Sequence, residues 1–196
     1  MKKWLPLIVI AVIVIGIFRW GVGLNNTMVE KQETAKTQWA NVESAYQRRS
    51  DLIPNLVSTV KGYADFEKET LEAVIQARAN ATKTTIDPSN ISPDKMAAFQ
   101  ASQNSLSGAL SKLMVVVEKY PDLKANQNFL ELQSQLEGTE NRINVERNRF
   151  NEQAKDYNVY IRKFPATVIA GFLNFDPMAL FQAAAGSENA PTVDFN

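Results

Sequence analysis

The chain has no cysteine and no histidine. The first absence excludes disulfides, thiolate metal sites and a lipoprotein anchor. The second removes the usual neutral-pH base and the commonest metal ligand. A net charge is missing too: 21 lysines and arginines balance 21 aspartates and glutamates over 196 residues. No global basic field draws nucleic acid, so nucleic acid is not an expected partner. There is no Walker loop, no G-x-G-x-x-G and no G-x-S-x-G. A di-iron bundle needs two Glu-x-x-His pairs, which a chain without histidine does not have. We therefore expect no cofactor, no metal and no catalytic residue, and read the chain as a non-enzyme.

What is present is grease, first of all at the start, MKKWLPLIVIAVIVIGIFRWGVGLNN. Trp4 to Phe18 carries no charge. Extended through Arg19 to Leu24, the stretch has 21 residues. At ~1.5 Å per residue it measures about 31 Å, enough for a hydrocarbon core of about 30 Å. Trp4 and Trp20 bracket it as interfacial aromatics do, and Arg19 is near enough to the far end to snorkel. Residues 1–24 are expected to be a transmembrane anchor; the rival is a cleaved signal peptide, with Gly21 and Gly23 as a weak small-x-small site. Lys2 and Lys3 favour a cytoplasmic amino terminus, while Arg19 and Lys31 argue back.

Residues 25–164 follow a helical step. Trp39, Val42, Tyr46, Ile53, Leu56, Val60, Tyr63, Leu71 and Val74 recur every three or four positions. ATKTTIDPSNIS breaks the pattern as a loop. Ser92-Pro93 reads as the N-cap and first residue of a second helix, which runs to Tyr120. A third helix is expected from Lys124 to Phe164, with Pro165 closing it. The fold expected is all-α: an amino-terminal transmembrane helix, then an antiparallel bundle of long helices. Residues 165–185 are expected as one or two short apolar helices on the bundle. The sharper alternative is a second, in-plane membrane contact through Phe172, Phe175 and Phe181. Residues 186–196 are expected as a flexible polar tail.

Pro54 interrupts the first helix beside Arg48, Arg49 and Asp51. It removes the N–H that would bond the Ser50 carbonyl. The helix is expected to kink or restart there, with Ser50 as the new cap. The functional alternative is a docking corner for a partner or for phosphate headgroups, built on Arg48, Arg49, Asp51, Pro54 and Asn55. Glu67, Arg78, Glu146 and Arg147 lie near apolar stripes. Outward snorkelling is the expectation for each; because buried charges need partners, Glu67–Arg147 or Arg78–Glu146 pairs between helices are the alternative.

RRSDLIPNLVSTVKGYADFEKETLEAVIQAR resembles the signature of the LemA family of bacterial membrane proteins. ENRINVERNRFNEQAKDYNVYIRKFP is similar to a later family stretch, and so is the ending with Pro191, Val193 and Phe195. The likeness covers nearly the whole chain. Phe66 stands where many members carry histidine, so histidine chemistry shared by those members is in doubt for this chain. The resemblance implies a helical bundle behind a single membrane helix in the bacterial cell envelope. One branch is similar to proteins of magnetosome membrane formation, which implies membrane organisation.

The reading is an anchored scaffold at the bacterial inner membrane that self-associates, with membrane lipids, further copies of itself and another membrane protein as partners. A monomeric adaptor for a membrane protein, such as a protease, is the alternative. An envelope enzyme or transport accessory is the weaker one.

Overall fold

The computed structural model describes residues 4–62 and 67–182. Tyr63 and Phe66, like the tail with Pro191, Val193 and Phe195, lie outside the described residues. Among those described there are six helices and no strand. They are α1 (Leu5–Lys61), α2 (Lys68–Lys83), α3 (Pro93–Val117), the single turn α4 (Pro121–Lys124), α5 (Gln127–Arg162) and α6 (Ala166–Leu173).

Local chemistry sets the boundaries. Pro93 opens α3, and the Ser92 hydroxyl accepts from the Lys95 N–H at 3.4 Å, as the sequence predicts. Asn126 caps α5 by accepting from the Phe129 N–H at 3.1 Å. The third helix thus starts slightly later than expected, because Pro121 first forms a separate turn.

The first helix corrects the sequence reading. It does not restart at Ser50, and Ser50 is no cap. Helix α1 continues through Pro54 to Lys61, 57 residues or about 85 Å long. Helix α1 ends at Lys61, and α2, from Lys68, folds back along that end of it. The stretch of α1 before Ser50 packs on α5.

Four helices, α1, α2, α3 and α5, run up, down, up and down. Two apolar cores lie end to end inside them. The first centres on Trp39, with Val42, Phe99, Ile143, Phe150 and Tyr157. The second gathers Ile53, Leu56, Val60, Leu106, Leu113 and Phe129. The Trp39 indole meets Phe150 edge-on at 5.2 Å and Phe99 at 5.4 Å. Such pairs add roughly 0.5–1.5 kcal/mol beyond their area.

Of the one or two short helices expected here α6 forms, and no second one follows it among the described residues. Asn174 takes a left-handed turn (φ 56°), and the chain runs extended back along the bundle. Asn158 holds this strap, donating to the Met178 carbonyl and accepting from its N–H, both at 2.8 Å. Asn151 does the same for Phe181, at 3.0 and 2.8 Å. The Ala179 N–H donates to the Ile91 carbonyl at 2.9 Å. Side-chain carboxamides replace a partner strand, so the extended backbone is satisfied without a sheet.

At the other end, every residue from Leu7 to Trp20 is exposed. At this end α1 is long and apolar enough to cross a membrane.

Candidate functional site

Between the two cores lies a polar layer with a member on each of the four helices. Arg49 on α1 is its centre and is 1 % exposed. Its guanidinium donates to the Ser107 hydroxyl at 2.8 Å and to Gln103 Oε1 at 2.7 Å, both on α3. It also pairs with the Glu140 carboxylate on α5. The Tyr46 ring stacks under it at 5.1 Å. From α2, Arg78 donates through Nε to the Ser50 carbonyl at 2.8 Å. That carbonyl is the acceptor left vacant because Pro54 has no N–H. A proline in one helix is thus answered by an arginine in the next.

Arg49 therefore leaves the docking corner proposed from sequence. A guanidinium so enclosed contacts neither lipid nor partner. Arg48, Asp51, Pro54 and Asn55 do face solvent. The four interhelix charge candidates do not simply snorkel outward: all find partners, though neither the Glu67–Arg147 nor the Arg78–Glu146 pair forms. Glu67 pairs with Lys119 at 3.3 Å, and Arg78 goes to Ser50. Glu146 is 1 % exposed and takes Gln38 from α1 at 2.6 Å, together with Arg142 and Arg149 on its own helix. Arg147 stacks on the Phe181 ring at 4.7 Å and donates to the Gln182 carbonyl at 3.3 Å. Helical spacing gives the buried stripe but not which turn of one helix meets which turn of the next.

A cleft of about 300 Å³ opens beside the layer, between α1, the end of α2 and α3. Glu43, Tyr46, Ser50, Thr82 and Gln103 line it. Burial raises the Glu43 carboxyl above its ordinary pKa, with the Trp39 indole opposing, and raises the Tyr46 phenol, with Arg147 and Arg49 opposing. Ser50 Oγ is buried with no hydrogen-bond partner among the described residues. Glu43 and Ser50 stand seven residues apart on α1, about 10 Å in rise. That is too far for a carboxylate to activate the hydroxyl. Glu43 and Ser50 are therefore no nucleophile–base pair. No cluster of potential metal ligands occurs among the described residues.

The membrane candidates separate as well. Trp4, Arg19 and Trp20 are exposed at the apolar end of the chain. Of the three phenylalanines proposed as a second membrane contact, two lie on the bundle. Phe181 is buried and stacks on Trp39 at 5.7 Å, and Phe175 packs against the same core. Phe172 is 83 % exposed. The strap residues Asn151 and Asn158 escaped the sequence reading. Their signal was two poor helix formers seven residues apart, on one face of α5.

The sequence profile of the LemA family matches residues 38–195. The chain is 28 % identical to Protein LemA of Metamycoplasma hominis, over 88 % of this chain and 76 % of that protein. It is 25 % identical to magnetosome protein MamQ of Magnetospirillum gryphiswaldense and 26 % identical to MamQ 2 of Paramagnetospirillum magneticum. Each MamQ match covers 80 % of this chain and 64 % of the relative. With the polar layer, the strap and the carboxy-terminal stretch all inside the matched range, the chain belongs to the LemA family.

Proposed function

We propose that this protein is a non-enzymatic scaffold, anchored in the bacterial inner membrane by a single span, that self-associates and organises lipids or partner proteins at the membrane surface. The amino terminus is assigned to the cytoplasm on the strength of Lys2 and Lys3. The supporting observation is the continuity of α1. Span and bundle share one uninterrupted helix from Leu5 to Lys61. The body is therefore held at one angle to the bilayer and shows every neighbour the same flank. Fixed presentation favours lateral packing into closed symmetric assemblies. Similarity to two proteins named for the magnetosome supports the same direction.

One observation favours the adaptor reading. Arg48, Pro54 and Asn55 project from α1 into solvent, and the Arg48 side chain has no partner among the described residues. Light scattering on the full chain extracted in mild detergent separates the two. One discrete multiple of the 21.9 kDa protomer is expected. A protomer that stays single at all concentrations selects the adaptor.

A further inference from the structure

We propose that α6 is a second membrane contact: an interfacial helix lying at the acyl–headgroup boundary where the span leaves the bilayer. The inference rests on residues 4–24 being the anchor, and goes beyond it by assigning a surface of the bundle itself to lipid.

Phe164 to Phe175, FPATVIAGFLNF, contains no charged residue. A surface helix of a water-soluble body shows one apolar and one polar face. Helix α6 is apolar on both. Its inner face is used: Ala166 and Ala170 are buried on the bundle. Ile169 Cδ1 lies 3.8 Å from where a β-carbon on Gly21 would stand, so α6 touches α1 at that turn. Its outer face covers nothing among the described residues. Phe172 is 83 % exposed and Val168 50 %, with Phe164, also 83 %, just before the helix.

Three observations point to the bilayer as occupant. The first is position. Gly21 directly follows Trp20, the aromatic at the end of the span, so α6 sits at interfacial depth. The exposed apolar surface of the span reaches Trp20 and Val22, on either side of the Gly21 contact. The second is length. The stretch of about 31 Å to Leu24 covers a hydrocarbon core of about 30 Å only by taking in Arg19 and Trp20, since the part bounded by Trp4 and Trp20 rises about 24 Å. An apolar collar at that end widens the apolar belt there. The third is charge. Arg19, Arg162 and Lys163 are exposed around the collar, and basic side chains at this depth meet lipid phosphates.

The absence of cysteine makes a direct test possible. Single-cysteine variants of the full chain, Phe172→Cys, Thr167→Cys, Ile13→Cys and Lys112→Cys, are spin-labelled and reconstituted in phosphatidylcholine–phosphatidylglycerol vesicles. Power saturation compares collisions with oxygen, which concentrates in the acyl region, and with a water-soluble nickel chelate. The label at 172 is expected to show an oxygen-to-nickel ratio several-fold above that at 112 and approaching that at 13. The label at 167, on the flank of the same face, keeps the test open should the label at 172 disturb α6. A ratio at both 172 and 167 matching 112, with 13 still lipid-like, overturns the inference and leaves the anchor standing. A water-like ratio at 13 overturns the anchor itself. Low collision with both reagents at 172, with broadening that disappears on dilution by unlabelled protein, places a second copy on this face and also overturns the inference.

Discussion

Arg78 Nε on α2 donates to the Ser50 carbonyl on α1 at 2.8 Å, filling the hydrogen-bond vacancy that Pro54 creates four residues on. This contact ties the α1–α2 hairpin together beside the polar layer. Arg78→Met is expected to cost about 1–3 kcal/mol, because a buried carbonyl loses its donor. In a Pro54→Ala background the backbone supplies that donor, and the same change is expected to cost less than about 1 kcal/mol. Urea unfolding of the four proteins measures the coupling. Equal costs in both backgrounds would contradict the assignment.

The two adjacent arginines are expected to part company. Arg49 is enclosed by Gln103, Ser107 and the half-exposed Glu140, so Arg49→Ala strands the buried Gln103 acceptor and is expected to cost about 1–3 kcal/mol. Arg49→Lys should recover little, since one ammonium does not reproduce a fork of donors. Arg48→Ala is expected within about 0.5 kcal/mol of the parent. Chemical denaturation of the three variants decides. A neutral Arg49→Ala would return that residue to the docking corner.

The helical step made the buried faces legible: Trp39, Phe99, Ile143 and Phe150 are core residues as their spacing implies. Ser92-Pro93 gave the start of α3 for the same local reason. What the spacing hid is non-local. Pro54 reads as a break because sequence shows the lost N–H but not Arg78, twenty-four residues on, arriving to replace it. Phe181 is open to both a bundle and a membrane reading because apolarity is the same signal in a core and in a bilayer, and the bundle holds it. The strap is extended on side-chain carboxamides, a pairing with no periodicity of its own.

The strap gives its own prediction. Asn158→Asp retains an acceptor for the Met178 N–H but loses the donor to its carbonyl. It is expected to cost about 1–3 kcal/mol, and Phe181→Ala about 3–5 kcal/mol through the cavity beside Trp39. Hydrogen exchange at the Ala179 and Phe181 amides should accelerate in both variants. Unchanged protection there would mean that the strap is held by something else.

Two phenols should resist ionisation. Tyr157, buried and donating to the Asp176 carbonyl, is pushed up to about 12, first by burial and then by the Asp176 charge; Tyr46 is also raised, first by burial. The folded state favours the protonated phenols. Their contribution is intact below the ordinary value of 10.0 and is lost as pH rises through the folded values. Stability is expected to fall above that point, less steeply in Tyr157→Phe. Glu43 has the same sign at lower pH: burial raises its pKa, so stability is lost as pH rises through its folded value. Glu43→Gln is expected to be more stable than the parent at neutral pH. Thermal melts across the pH range check both, and parallel profiles for parent and variants would contradict them.

Imaging the full chain in a lipid nanodisc tests the scaffold most directly. The account predicts a closed, symmetric particle with the first 24 residues retained in the bilayer and α1 unbroken from lipid to bundle. Isolated single bundles, or a mature chain that starts beyond residue 24 and leaves the disc empty, would contradict it.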